Sequence, residues 1–357
     1  MSAYPTVEGE RRVTADRLLA VVAAIFERCA MSPPDARCLA DSLVASDLRG
    51  VHSHGVLRVP EYVKKLLQDG VDPRGRPEIV RDAGAALVID GGNSMGQIAG
   101  TFAMRAAVER AKSTGVAAAA VRGSNHCGAM AYYAMMALPA GAIGVVTTNA
   151  LPTMAAWGGI DKIVGINPLG VAIPSLIEPP IVFDAAFSGS AHGKIRVYAQ
   201  KGVPIPEGWA LDADGRPTTD ATAALDGLLQ PIGGFKGTGL AIVFGVLSTL
   251  LSGAAYGTEL GNMVDGPRAG QDGHLFVAVN VAAFTELDVF RLRVDDVVRE
   301  IRTSRRAPGV ERIYSPGEIE LETERRYRVE GIPLATTTLD DVIASGRALG
   351  VDTSSLA

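Results

Sequence analysis

The sequence predicts an α/β layered fold, on two observations. From about residue 85 onward, short apolar runs of strand length alternate with segments of helical period, the pattern of a sheet covered by helices. Before that point the chain reads as helices and turns, so the alternation belongs to a separate central stretch. The 357 residues are enough for one large or two ordinary domains, and 47% hydrophobic with 20% charged residues is a globular composition. Aromatic residues make up only 5% while glycine and alanine abound, so small side chains fill much of the core.

Residues 14–29 place Leu18, Val22, Ile25 and Phe26 at helical spacing. Ser32 ahead of Pro33 is an N-cap with proline in the first turn, opening a second helix that runs to about Arg49 and ends at Gly50. Helical order continues to about Gly70, where DGVDPRGRP is a loop. AALVID (85–90) predicts a strand, 99–115 a helix closed by glycine, and VAAAAV (116–121) a short apolar run. AMAYYAMMAL (129–138) is helical, AIGVVTT (142–148) a strand, and VAIPS (171–175) and PIVFDAA (180–186) are further strands. Residues 236–253 predict a buried core helix, 274–284 a long strand and 294–304 a helix.

Composition narrows the function. A net charge of −5 without basic runs argues against nucleic acid as a partner. Cys29, Cys38 and Cys127 are odd in number and unpatterned, which fits a reducing cytoplasm rather than a disulfide framework. MSAYPTVEGERR has no secretion-signal pattern. The apolar stretch 240–255 is too short and too rich in Gly and Ser for a membrane span. Neither GxGxxG after a strand nor GxxxxGK[ST] occurs, and HExxH and GxSxG are missing. GSAHGK (189–194) fails the P-loop spacing, and Ile195 follows its lysine.

Four segments carry chemistry. In RGVHSHGVLRVPEYV (49–63), His52 and His54 have the HxH spacing of a metal pair, yet glycines make the backbone a turn and no carboxylate stands at ligand spacing. A helix beginning near Leu57, with Pro60 in its first turn, sets Arg58 and Tyr62 on one face. An arginine fork at the positive end of a helix suits a carboxylate. His54 stands just ahead, with Ser53 able to bond its ring, while His52 reads as a locally satisfied histidine. RGSNHCGAMAYYAMMA (122–137) ends an apolar run in a polar turn holding Asn125 and His126, then opens a helix, where ligands bind in α/β sheets. FDAAFSGSAHGKIRVYA (183–199) offers Asp184 among small residues, then His192 and Lys194. PIGGFKGTG (231–239) puts Lys236 in a glycine-rich turn ahead of the apolar helix.

In this order, SDLRGVHSHGVLRVPEY, SNHCGAMAYYA, TTNALPTMAAWGG, GINPLGVAIP, FDAAFSGSAHGKI, PEGWALDADGRPTTD and PIGGFKGTGLAI resemble the type-2 malate/L-lactate dehydrogenase family. That family also holds ureidoglycolate, sulfolactate, diketogulonate and cyclic ketimine oxidoreductases. The likeness runs from about residue 14 past PGE at 316–318, and it is specific for the family rather than for a substrate.

The resemblance implies hydride transfer with NAD or NADP on a non-Rossmann α/β (α+β) fold, a mixed sheet with a helical domain formed by both chain ends. It divides the chain into residues 1–75 plus about 290–357, a helical dimerisation domain, and 76–289, a sheet-containing NAD(P)-binding domain. A cytoplasmic homodimer acting on a small carboxylate, with no metal, no membrane and no nucleic acid, is the implied setting.

By motif, His54 with Ser53, and His126, are the implied acid/base groups, and the sequence offers both histidines for the proton transfer. Arg58 is the implied carboxylate clamp, with Tyr62 and Lys194 also at the substrate. His126, Cys127, Gly128, Ala129, Met130, Thr148, Asp184, Ala185, Ala186, Lys236, Arg305 and Arg306 match cofactor-binding stretches.

Two positions bear on that reading. The family's D-x-A-T-S reads DAAFS here, with Phe187 in place of threonine at an expected cofactor contact. Lys194 is the form associated with hydroxy-acid dehydrogenases, whereas some ketimine reductases carry an acidic residue there. The rival readings are a cyclic ketimine reductase, a metallohydrolase built on His52, His54, His126 and Asp184, and a non-catalytic binding protein.

Overall fold

A computed structural model describes residues 9–262 and 266–356. Strand β1 (Glu10–Val13) leads into α1 (Ala15–Arg28), whose Leu18, Val22, Ile25 and Phe26 are fully buried, as their spacing predicts. In α2 (Pro33–Leu48) the Ser32 hydroxyl accepts the Asp35 N–H, and Gly50 takes φ +75° just past the end. Two short 3₁₀ turns, His52–His54 and Val56–Arg58, then deliver the chain into α3 (Val59–Leu67), with Pro60 in its first turn.

The central stretch forms β2 (Glu78–Ala83), β3 (Ala86–Asp90), α4 (Gly96–Thr114), β4 (Val116–Ser124), α5 (Met130–Ala134), β5 (Ala142–Thr148), β6 (Leu169–Ile173) and β7 (Ile181–Ala185). After α6 (His192–Gln200) and α7 (Phe235–Thr249) comes β8 (Asp272–Asn280), which returns to the middle of the sheet. The strand order is β2-β3-β4-β8-β5-β6-β7, mixed as expected: β3 and β4 run parallel through the α4 crossover and the other pairs are antiparallel. Last are α8 (Leu287–Thr303), α9 (Glu318–Glu330), β9 (Ile332–Ala335) and α10 (Thr336–Ala348), with β9 pairing β1 so that the two chain ends meet.

Among the described residues three apolar cores follow. One joins α1, α2 and α3 to β9 and α10, and a second lies between the sheet and α4 and α5. The third gathers Met154, Val164, Phe187, Ile195, Ile205 and Ala241 around α6 and α7. The abundance of small residues has a geometric cause in the second core. A Cβ on Gly100 of α4 would stand 2.8 Å from the Tyr133 ring and 3.0 Å from Phe276. Helix and sheet touch because no side chain intervenes.

Some sequence expectations need correcting. Residues 129–138 form only one turn and a half of α-helix before a 3₁₀ segment at Met135–Ala140 that contains Pro139. The strand expected over 274–284 stops at Asn280, whose side chain accepts the Ala282 N–H and turns the chain. Helix α7 is not a buried core helix. Phe235, Leu240 and Val243 are exposed, as are Leu250 and Leu251 beyond its end. An all-apolar segment has no periodicity to tell its inner face from its outer one.

Candidate active site

The site grows from the short segment between α2 and α3. Asp47, near the end of α2, is buried; its Oδ1 pairs with His52 Nδ1 at 2.7 Å and its Oδ2 accepts the Val56 N–H at 2.8 Å. This carboxylate explains Gly55, where a Cβ would fall 2.0 Å from Asp47 Oδ1. One buried acid thus fixes the turn and holds His52, which also stacks on Tyr327. The HxH pair is split: His52 faces Asp47, and His54 faces the next segment.

His54 Nδ1 lies 2.9 Å from Ser53 Oγ, and its ring stacks on His126 with centroids 5.8 Å apart and planes within 15°. His126 comes from the loop after β4. That loop is anchored by Asn125, whose Nδ2 donates to Asn93 and to the Ser94 carbonyl while its Oδ1 accepts the Gly270 N–H. Gly128 at φ +78° turns it toward α5. The α4 N-terminus presses on the same loop, since a Cβ on Gly96 would lie 2.0 Å from the Asn125 carbonyl.

Behind His126 runs a chain of hydrogen bonds. Tyr62, fully buried on α3, sets its Oη 2.6 Å from His126 Nδ1, and Gln97 of α4 donates Nε2–H to the same Oη at 3.2 Å. Among the described residues neither His54 Nε2 nor His126 Nε2 has a hydrogen-bond partner. Arg58, at the head of α3, is held by the Ser53 carbonyl at Nε (2.9 Å) and by Glu61 at Nη1 (2.7 Å).

The electrostatics are uniform in sign. Burial, with the Arg58 guanidinium adding to it, pushes His54 down to about 4. Burial followed by Arg58, His54 and Lys65 holds His126 well below the ordinary histidine range. Both rings are neutral near pH 7, and the Arg58 and Lys65 charges that help lower them favour an anion beside the pair.

A second network lies one layer deeper. His274 on β8 is fully buried, with Nδ1 2.7 Å from Thr148 Oγ1 and 3.6 Å from Cys127 Sγ, and Nε2 2.8 Å from Ser124 Oγ. It ties together β4, β5 and both sides of His126. Thr148 and Cys127 therefore direct their side chains into the sheet. Sequence reading passed over His274, Gln97 and Asp47. The signals available were a polar side chain in a small-residue helix face and a histidine inside an apolar strand.

The remaining candidates sit on other elements. Asp184 ends β7 and accepts the Ala131 N–H of α5 at 2.8 Å, which sets Ala185 and Ala186 beside the Gly128–Met130 turn. Lys194, half-buried on α6, places its Nζ 4.8 Å from the ring centroid of Trp209, which packs against the third core. Lys236 is exposed in the first turn of α7, and Arg305 and Arg306 are exposed in the turn after α8, where Arg306 donates to the Glu311 carbonyl. Phe187 is buried and stacked on Phe244 at 5.4 Å. Its side chain fills volume in the third core, at the position where the family pattern has threonine. Among the described residues no three His, Cys, Asp or Glu side chains converge as a metal-holding group.

Comparison with known proteins gives the family. The family model described as malate/L-lactate dehydrogenase matches residues 13–343. The malate dehydrogenase of Pyrococcus abyssi is 36% identical over 348 residues, 95% of either chain. The structure of sulfolactate dehydrogenase from Methanocaldococcus jannaschii superposes with a TM-score of 0.90 at 34% identity, covering 96% of this chain and 99% of that one. Malate dehydrogenase from Entamoeba histolytica superposes with a TM-score of 0.92 at 32% identity, with 96% and 99% covered. On a matched family model spanning nearly the whole chain, and relatives a third identical along it, the protein belongs to the malate/L-lactate dehydrogenase family.

Proposed function

We propose that the protein is an NAD(P)-dependent 2-hydroxy-acid dehydrogenase, interconverting a small 2-hydroxy acid and its 2-oxo acid. The observation that carries this reading is the stacked His54–His126 pair, backed by Tyr62 and set beside Arg58. When bound, a nicotinamide ring supplies the hydride acceptor or donor for C2. The chain's own residues do the rest. Arg58 binds and orients the carboxylate. His126 is the acid/base at Nε2, taking the hydroxyl proton in oxidation and returning it in reduction. His54, stacked on it and steadied by Ser53, packs the cleft and keeps water from the second ring face.

The residues present fit a dinucleotide. Thr238, in the first turn of α7, has a buried hydroxyl without a partner, and Lys236 stands exposed in the same turn. Such a helix start suits a phosphate. In this reading the small residues Gly128, Ala129, Ala185 and Ala186, next to Asp184, leave room for a flat ring, while Thr148 contributes from within the sheet through His274. Arg305 and Arg306 would meet a 2′-phosphate, so binding of NADP as well as NAD is part of this reading.

The division into residues 1–75 with about 290–357, and 76–289, is retained as a proposal, as is a homodimer. The exposed apolar residues of α7 and of α8 (Val289, Leu292, Val297) support a partner surface. Three free cysteines fit a cytoplasmic setting, and no helix among the described residues is long and apolar enough to cross a membrane.

The test is fluorescence titration with NADH and NADPH, then a panel of 2-oxo acids and cyclic ketimines followed by cofactor absorbance. Turnover of 2-oxo acids is expected. His126→Ala is expected to lower kcat by on the order of 10²–10⁴. Arg58→Ala should act mainly on KM for the acid, by about 10- to 100-fold, the worth of a charge-assisted pair. Absence of binding to either dinucleotide, or ketimines as the only acceptors, refutes the proposal.

A further inference from the structure

Gln97 lies outside every motif that marks the site, yet it ends the hydrogen-bond chain behind His126. It is fully buried on α4, its Nε2 donates to Tyr62 Oη at 3.2 Å, and its Oε1 is buried without a partner. Tyr62 is therefore the side-chain partner that decides which end of the amide faces inward, and either end can make that contact.

The two orientations have different consequences for His126. With Nε2–H donating to Tyr62 Oη, the phenol proton is left to point at His126 Nδ1, 2.6 Å away. A neutral imidazole that accepts at Nδ1 carries its proton on Nε2. That nitrogen then has no lone pair with which to take a hydroxyl proton. With the amide turned, Oε1 accepts the phenol proton, and Tyr62 Oη accepts from His126 Nδ1–H. Nε2 then faces the cleft with its lone pair.

The same polarity serves the reverse direction, because an imidazolium has a proton on both nitrogens and Nδ1–H again needs an acceptor. The proton count balances in either direction. The substrate hydroxyl proton moves to Nε2 as its O–H bond breaks and an N–H bond forms, while the Nδ1 proton stays in place.

We propose that Gln97 is a positioning residue that acts through Tyr62 to set which nitrogen of His126 carries the proton, the working arrangement having Oε1 toward Tyr62. The logic is that of a buried group holding a catalytic histidine in one tautomer. The proposal rests on His126 as the acid/base of the dehydrogenase reading.

The test compares wild type, Gln97→Glu and Gln97→Met. Glutamate can only accept when ionised and so enforces the working polarity, whereas methionine fills the space without bonding. Side-chain ¹⁵N shifts of His126 in the protein without cofactor, assigned with a His126→Gln variant, read the tautomer directly. Gln97→Glu is expected to favour the Nδ1–H form and Gln97→Met the Nε2–H form. With the best 2-hydroxy acid, kcat should fall roughly 10- to 100-fold in Gln97→Met, with KM within about twofold, and stay near wild type in Gln97→Glu. For hydroxy-acid oxidation, where neutral His126 is the base, the acidic limb of the kcat pH profile should move upward in Gln97→Glu.

Circular dichroism melts verify folding, and Tyr62→Phe, which cuts the same chain one residue earlier, should reproduce the methionine effect. Equal tautomer populations in the three proteins, or a Gln97→Met kcat within twofold of wild type, overturns the proposal. If no hydroxy acid is turned over, the dehydrogenase reading fails, while the shift comparison still decides whether Gln97 sets the tautomer.

Discussion

Asp272 shows how a single carboxylate packed beside the His126 loop makes stability depend on pH. It opens β8 opposite Ser124, partly solvent-accessible beside the His126 loop, and burial pushes it up to about 7, with Lys65 opposing. The folded protein therefore keeps a proton that the unfolded chain releases above about pH 4. Stability owed to this group falls as pH rises from about 4 through 7, and the full cost is present above that. Asp272→Asn removes the ionisation. It is expected to stabilise by about 2 kcal/mol at pH 8, the shift being discounted for partial exposure, and to gain little at pH 5. Thermal melts across that range test this; a gain that grew toward acid would contradict the burial argument.

The site itself was partly legible. His54, Arg58 and Tyr62 share one local segment, so glycine turns and a proline-started helix reveal them. Gln97 and His274 act through residues 35 and 126 positions away in the chain. No local pattern records such contacts. The same holds for Phe187, whose packing partner Phe244 lies far along the chain.

For the elements, legibility follows how much each owes to its own sequence. Helices α1 and α2 and strand β5 are set by local period and caps and form where expected. Strands β1 and β9 pair Glu10 with Ala335, and neither four-residue run announces itself without the other. Strand β2 is exposed along its whole length, so it has no apolar alternation to detect. Helix α5 shows how a short element is held in place. A Cβ on Gly170 of β6 would lie 2.5 Å from Met130 Cβ and 2.8 Å from the Met130 carbonyl carbon, so α5 rests on bare backbone. Gly170→Ala must push α5 off the sheet and should cost about 1–3 kcal/mol as overpacking. Because α5 opens with the Gly128–Met130 turn, the same variant is expected to weaken dinucleotide binding. A melting temperature and cofactor affinity both equal to wild type would show that the contact is not constraining.

At the scale of the whole molecule, the unresolved balance is apolar surface. Val243 is 53% exposed, Leu240 42% and Phe235 62%, on one apolar helix, with Leu250 58% and Leu251 57% just beyond. Soluble monomers seldom present so continuous a patch, and stable interfaces bury such residues at their centres. The α7 segment also begins at the Lys236–Thr238 turn, so a partner covering its outer face would stiffen the proposed phosphate end of the cleft. Val243→Asp separates the possibilities. On a monomer an aspartate at this exposed point costs little, within about 0.5 kcal/mol. Across a dimer it would force a charge out of water against an apolar partner, a penalty of several kcal/mol. Light scattering after size exclusion is expected to give twice the 37.2 kDa chain mass for wild type and the single-chain mass for Val243→Asp, with unchanged circular dichroism. A wild-type protein of single-chain mass at micromolar concentration, or a variant that stays paired, would remove α7 as the partner surface.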